Sequence, residues 1–263
     1  MSQPVRAKKH LGQHFLCDEN IAQKIVSSTL DDNDAEVLME VGPGAGVLTK
    51  YMIERPGFMA LDVDTESIEY LRKQYPQHSH KILEQDFLEA DLKTLSGNKK
   101  FTVIGNFPYN ISSQIMFQVL AYRDLADVVV GMFQKEVAER IAEKPGTKTY
   151  GILSVLLQAF YDISYLFTVH EHVFSPPPKV KSAVIKLVRN KRRELGCDEA
   201  LFIKTVKTTF NQRRKTIRNS LKPLLNGNTI QAETILLDKR PEQLSVEQFI
   251  ELTNLVDQSL KQH

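Results

Sequence analysis

The sequence predicts an α/β fold followed by a small all-helical C-terminal domain, and three observations carry that prediction. Short apolar runs of strand length alternate with helical patterning between residues 36 and about 141. A glycine-rich turn follows the first of these runs, and beyond the basic RNKRR at 189–193 only helical patterns remain. A chain of 263 residues is long enough to bury a full core and still carry a smaller appended domain. The boundary is expected near 190, giving domains at 1–190 and 191–263.

Asp18 is predicted to cap a helix whose apolar positions Ile21, Ile25, Val26 and Leu30 fall near one face, with the acidic DDND at 31–34 closing it. EVLMEV at 36–41 reads as a buried parallel strand feeding a helix that carries Val47, Leu48, Tyr51 and Met52. The rhythm returns with strand GFMAL at 57–61 and helix ESIEYLRKQ at 66–74, then strand KIL at 81–83. FTVIGN at 101–106 precedes helix ISSQIMFQVL at 111–120, and ADVVVGM at 126–132 precedes a helix around Lys135 to Ile141. After a helical GILSVLLQAF come two strand-like runs, DISYLF at 162–167 and SAVIKLV at 182–188. They are joined through Pro176, Pro177 and Pro178 and are suited to an antiparallel edge pair. ALFIKTVKTTF and VEQFIELTNLV supply the helices of the C-terminal domain.

Aliphatic and aromatic residues make up 42% and charged residues 25%. No apolar run approaches the roughly 18 residues of a membrane span. The N-terminus has positive charge without the apolar segment of a secretory signal, so a soluble, cytoplasmic monomer with no membrane partner is expected. Cys17 and Cys197 have no neighbouring Cys or His at ligand spacing, and the pairs His78/His80 and His170/His172 lack completing ligands. Neither a disulfide framework nor a metal site is expected. The net charge of +2 conceals a separation: residues 179–222 hold 14 Lys and Arg against 3 acids, a net of +11, leaving 20 against 29, or −9, elsewhere. Clustered cations of this kind suit a polyanionic partner, although a charge run is also what a solvated helix face looks like.

EVGPGAG at 40–46 lies between the first strand and the following segment, where glycines allow a sharp turn and close approach of a ligand. Its spacing is GxGxG, and Pro43 removes a backbone donor that a pyrophosphate would use, which disfavours a dinucleotide. Asp62, 20 residues after Gly42, is placed to accept hydrogen bonds from ribose hydroxyls, and Asp86, beside Phe87, from an adenine amine. Each acid alone is more often a cap or a solvated charge. A glycine loop and two acids at the ends of three successive strands fit an adenosine group laid across the sheet edge.

Gly105-Asn106-Phe107-Pro108-Tyr109-Asn110 follows the fourth strand. Such a turn suits chemistry on an adenine amine, whose lone pair is delocalised into the ring and must be localised and held close to an electrophile. The Asn106 side-chain oxygen and a backbone carbonyl near Phe107 or Pro108 would each accept one N–H, Pro108 would restrain the turn, and Tyr109 would stack on the ring. A base leaving a duplex costs a few kcal/mol, which aromatic faces worth about 1–3 kcal/mol each offset. Phe174 is the second stacking candidate, with a plain core Phe as its alternative reading.

Seven ordered segments resemble one family: KKHLGQHFL at 8–16, EVGPGAG at 40–46, LDVD at 61–64, QDFL at 85–88, GNFPYNIS at 105–112, FSPPPKVKSAV at 174–184 and FNQRRKTIRNSL at 210–221. Over nearly its whole length the chain resembles the small-subunit ribosomal RNA adenine N6,N6-dimethyltransferases, a family that includes the macrolide-resistance ribosomal methyltransferases. The resemblance implies a Rossmann-like class I methyltransferase sheet with a small helical C-terminal domain that binds RNA or the ribosome. It implies S-adenosylmethionine as donor and S-adenosylhomocysteine as product. It implies cofactor contacts from Gln13, His14, Leu16, Glu40, Gly42, Gly44, Asp62, Val63, Asp86, Phe87 and Asn106, and places Asn106, Pro108, Tyr109 and Phe174 at the target adenine. The substrate implied is two adjacent adenines in a hairpin near the 3′ end of small-subunit RNA, within a pre-assembled subunit.

Two departures stand out: the family usually reads Gln-Asn-Phe-Leu where His14 follows Gln13, and Asn-Leu-Pro-Tyr where Phe107 follows Asn106. Arg213, Arg214, Lys215 and Arg218 are expected on one helix, with 214 and 218 sharing a face toward phosphates and Lys8 and Lys9 assisting from the N-terminal segment. The rival readings are an assembly factor that binds without needed methylation, a large-subunit or DNA adenine methyltransferase, and, last, a dinucleotide oxidoreductase.

Overall fold

The computed structural model describes residues 5–30 and 35–261, so the closing DDND of the first predicted helix lies outside the described residues. Elements occur in the order β1 (Phe15–Leu16), α1 (Glu19–Leu30), β2 (Val37–Val41), β3 (Phe58–Asp62), α2 (Thr65–Gln74), β4 (Ile82–Glu84), α3 (Leu92–Leu95), β5 (Phe101–Asn106), α4 (Ser112–Ala121), β6 (Ala126–Gln134) and α5 (Lys135–Ala142). There follow α6 (Ile152–Gln158), β7 (Tyr161–Val169), β8 (Phe174–Ser175), β9 (Ser182–Arg189), α7 (Glu199–Phe210), α8 (Ile217–Ser220), α9 (Lys222–Leu225) and α10 (Val246–Lys261). Contacts divide the described residues into two compact units, 5–138 with 162–189 and 139–161 with 190–261.

The first unit is built on a seven-stranded sheet of order β4-β3-β2-β5-β6-β9-β7. Pairs β3–β4, β2–β3, β2–β5 and β5–β6 are parallel, while β9 runs antiparallel to β6. All five residues of β2 are buried, as are the first five of β5, which explains why these strands read as continuous apolar runs. From β2 the chain proceeds outward through β3 and β4, whereas β5 and β6 lie on the other side of β2. The strand order therefore reverses between β2 and β5, and the crevice at their carboxyl ends is where an open α/β sheet binds its ligand. On α1, Asp18 caps as expected, its carboxylate accepting from the Ile21 N–H at 3.0 Å, and Ala22, Ile25 and Val26 are buried.

Two local expectations are corrected and one is extended. The segment carrying Val47 to Met52 is a short 3-10 turn at Thr49–Tyr51 instead of a full helix, closed by i to i−3 bonds from Tyr51 N–H to Leu48 C=O at 3.0 Å and Met52 N–H to Thr49 C=O at 2.9 Å. The two late strands lie side by side at the sheet edge as expected, and β9 also joins the pair to β6, leaving β7 outermost. FNQRRKTIRNSL is not one helix, for α7 stops at Phe210 and its chain turns through i to i−3 bonds, Arg213 N–H to Phe210 C=O at 3.2 Å and Lys215 N–H to Gln212 C=O at 2.8 Å. Thr216 is extended before α8 begins, so Arg214 and Arg218 do not share a helical face.

In the second unit α6, α7 and α10 contact one another, and Phe210 stacks on Phe249 at 5.9 Å between ring centroids. Residues 139–161, placed by sequence with the sheet, group here because α6 buries Val155, Leu156 and Leu157 against this helical set. Among the described residues no helix is long and apolar enough to cross a membrane.

Candidate active site

A cavity of about 210 Å³ opens at the strand-order reversal. Its walls are the N-terminal segment 11–15, Gly42 and Gly44, Asp62 and Val63 after β3, Asp86 and Leu88 after β4, and the turn 106–111 after β5. Gly42 and Gly44 both require φ near +60° (+69° and +53°), and a Cβ on Gly44 would lie 2.6 Å from the Phe15 ring. A side chain there would push the N-terminal wall away from the loop.

The carboxylates beneath this wall differ in their surroundings. Glu40 is 1% exposed and accepts from the Thr49 hydroxyl at 2.7 Å. Burial pushes its carboxyl up to about 8, against the opposing hydrogen bond from Thr49, so it holds a proton at neutral pH. Asp62 accepts from the Asp64 N–H at 3.0 Å and the Gly44 N–H at 3.4 Å, and burial raises its carboxyl above the usual range. For Asp64 burial is outweighed by hydrogen bonds from Lys8, Gln13 and Ser67, and its carboxyl is held below the ordinary value. Gln13 thus donates to Asp64 at 3.1 Å while its oxygen accepts the Lys8 N–H at 2.9 Å. This buried carboxylate anchors the wall that Gln13 and His14 present to the cavity.

The turn after β5 is fixed from three directions. The Phe107 N–H donates to the Met132 carbonyl at 3.2 Å, and the Phe107 ring is 1% exposed, edge-on to Phe133 at 5.2 Å. Gly105 and Gly131 make room for that ring: a Cβ on either would come within 2.8 Å and 2.2 Å of it. The Asn106 amide nitrogen donates to the His14 carbonyl at 2.7 Å, which assigns the amide orientation and leaves its oxygen without a hydrogen bond among the described residues. The Pro108 carbonyl accepts from Ile111 at 3.2 Å, whereas the Phe107 carbonyl has no such partner among the described residues. Of the two carbonyls the sequence left open, Phe107 is the free one. The Tyr109 hydroxyl meets the Ser182 hydroxyl at 2.5 Å.

The structure therefore gathers Gln13, His14, Gly42, Gly44, Asp62, Val63, Asp86, Asn106, Pro108 and Tyr109 around one cavity. It corrects five assignments. Phe174 is 4% exposed within the core, and Phe87 is equally buried; neither lines the cavity, and Leu88 takes the place expected of Phe87. Glu40 lies under the glycine loop with Leu16, both facing a small void of about 20 Å³ instead of the main cavity. Lys8 is engaged by the buried Asp64 carboxylate and, at 3.5 Å, by Glu66, so it is not a free cation for phosphates. Lys9, Arg213, Arg214, Lys215 and Arg218 are exposed. Sequence reasoning missed Gly12, Leu88, Asn110, Ile111 and Ser182. Gly12 has φ +67°, and a Cβ on it would lie 2.6 Å from the Asn110 side-chain oxygen; its visible signal was a lone glycine beside polar residues.

The profile of the ribosomal RNA adenine dimethylase family matches residues 5–258. A protein named ribosomal RNA small subunit methyltransferase A from Bacteroides thetaiotaomicron is 56% identical over 258 residues, spanning 98% of this chain and 96% of its own length. Its namesake from Cytophaga hutchinsonii is 58% identical over 255 residues, 96% of this chain and 98% of its own. Among solved structures, a dimethyladenosine transferase from Plasmodium falciparum aligns with TM-score 0.78 at 21% identity, covering 94% of this chain and 98% of that one. The 23S rRNA methyltransferase ErmE aligns with TM-score 0.62 at 22% identity, covering 92% and 99%. The fold is thus that of class I methyltransferases, and the chain belongs to the ribosomal RNA adenine dimethylase family.

Proposed function

We propose that this protein dimethylates the N6 amines of two adjacent adenines in a hairpin near the 3′ end of small-subunit ribosomal RNA, using S-adenosylmethionine within a pre-assembled subunit. The cytoplasm, the compartment of that substrate, is its place of action. The observation that carries the reading is the half-satisfied Asn106 amide at the cavity wall: its nitrogen is held by His14 and its oxygen has no hydrogen-bond partner among the described residues. The small-subunit choice is supported by relatives of that name at 55–58% identity.

The residues present fit an adenosyl donor. Asp62 offers carboxylate oxygens for ribose hydroxyls, Asp86 an acceptor for an adenine amine, Val63 and Leu88 apolar surface, and the two glycines a backbone without Cβ atoms. When bound, the donor supplies an electrophilic methyl group on a cationic sulfur. The Asn106 oxygen and the Phe107 carbonyl accept the two N–H bonds of the target amine, which favours a localised nitrogen lone pair directed along the line of attack. Tyr109 offers its ring to the base. No strong base is required, since the nitrogen becomes acidic once methylated and loses its proton to solvent. Exposed Lys9, Arg213, Arg214, Lys215 and Arg218 are the phosphate contacts. The Arg218–Asp238 pair, at 3.2 Å with both side chains more than half exposed, is weak enough to be exchanged for a phosphate.

Incubation with labelled donor and unmethylated small subunits, large subunits or adenine-containing DNA, followed by mass mapping, tests this reading. Dimethyladenosine at two adjacent positions near the small-subunit 3′ end is expected. Label confined to large subunits or DNA, or tight subunit binding without label, would overturn it.

A further inference from the structure

We propose that His14 is a positioning residue that sets Tyr109 and Asn106 for the target base; this rests on the function proposed above. Three separate contacts converge on it. Its backbone carbonyl accepts the Asn106 amide N–H at 2.7 Å. Its ring lies against Tyr109, with centroids 5.3 Å apart and planes inclined by 29°. Its Nδ1–H donates to the Pro176 carbonyl at 2.8 Å, which sets the tautomer and prevents the ring from turning away.

The segment that carries His14 is itself fixed. On its C-terminal side Phe15 and Leu16 pair with Ser175 and Phe174, so the imidazole and the carbonyl that holds it come from residues directly flanking two paired short strands. On its N-terminal side Gln13 is bonded to the buried Asp64. The Tyr109 ring is thereby restrained at both ends, by Ser182 at the hydroxyl and by the imidazole on one face. A base entering the cavity has the opposite face of Tyr109 to stack on, and the same residue that covers the first face directs the Asn106 oxygen toward its amine. An asparagine at 14 would supply the carbonyl but not the ring.

The test uses the full chain with His14→Ala, His14→Asn and His14→Phe. Three quantities are measured: donor affinity, the single-turnover rate of methyl transfer on small subunits, and the solvent isotope shift of fluorine on 3-fluorotyrosine at position 109, identified by its loss in Tyr109→Phe. Stacked aromatic pairs correspond to about two- to tenfold effects. His14→Ala and His14→Asn are expected to slow transfer by about five- to tenfold, to leave donor affinity within about twofold, and to expose the Tyr109 fluorine to solvent. His14→Phe is expected to keep the rate within about twofold and the fluorine shielded. Unchanged rates in the Ala and Asn variants, or a loss confined to donor affinity, would overturn the proposal. If the unaltered protein methylates no small subunits, the functional reading fails instead, and the fluorine measurement still decides: a Tyr109 signal indifferent to His14→Ala overturns the pairing.

Discussion

The glycine turn after β2 and the asparagine turn after β5 occupy neighbouring strand ends, yet they use their polar atoms differently. Around the first, the Glu40 and Asp64 carboxylates are bonded to Thr49 and to Lys8, Gln13 and Ser67, and Asp62 accepts backbone N–H bonds while reaching the cavity. Around the second, the Asn106 oxygen and the Phe107 carbonyl remain open among the described residues, although the turn that carries them is anchored by the buried Phe107 ring. The difference teaches that the donor side is a mould whose buried acids brace the backbone. The target side keeps unpaired acceptors on a rigid support, as positioning catalysis requires.

The largest expected effect comes from removing an open acceptor. Asn106→Ala should lower single-turnover methylation by about 100-fold or more, the scale of deleting one preorganised hydrogen-bond group, while subunit binding persists. Methylation at the unaltered rate would dissolve the distinction between the two turns. On the donor side, Asp62→Ala should weaken donor affinity by roughly 10- to 100-fold, the loss of charged hydrogen bonds, as read by calorimetric titration. Next, Gly44→Ala should cost about 1–3 kcal/mol in denaturant unfolding, since its φ is +53° and its Cβ would strike Phe15. Gly97→Ala, at φ +62° with open space around it, should cost only the backbone share, about 1 kcal/mol. Equal losses would mean that the N-terminal wall yields to the loop.

A separate effect, read against pH, concerns Glu40. Below about 4.5 folded and unfolded chains both hold its proton; between there and about 8 only the folded chain does, so stability falls with rising pH and levels off above 8. Glu40→Gln should remove that slope in a melting series from pH 4 to 9, whereas parallel curves would show that Glu40 ionises at its ordinary value.

Much of this was legible in the residues. Apolar runs buried on both faces announced β2, β5 and β6, Asp18 announced α1, and the spacing of Gly42, Asp62, Asp86 and Asn106 reflects successive strand ends around one crevice. What was hidden depends on contacts distant in sequence. Nothing local to Phe87, Phe174 or Glu40 distinguishes a cavity wall from the layer beneath it, and their burial is decided by packing from other elements. Helical patterning across 210–221 concealed the break after Phe210 because exposed Arg and Lys are compatible with helix or turn. The orientation of the Asn106 amide is set by a carbonyl 92 positions away.

The division between the two turns is tested most directly by a crystal structure of the protein with S-adenosylhomocysteine. The account predicts an Asp62 carboxylate oxygen within hydrogen-bond distance of a ribose hydroxyl and the Asn106 oxygen still open beside the sulfur, its nitrogen still on His14. A ribose away from Asp62, or an Asn106 amide turned to present its nitrogen to the cavity, would contradict it.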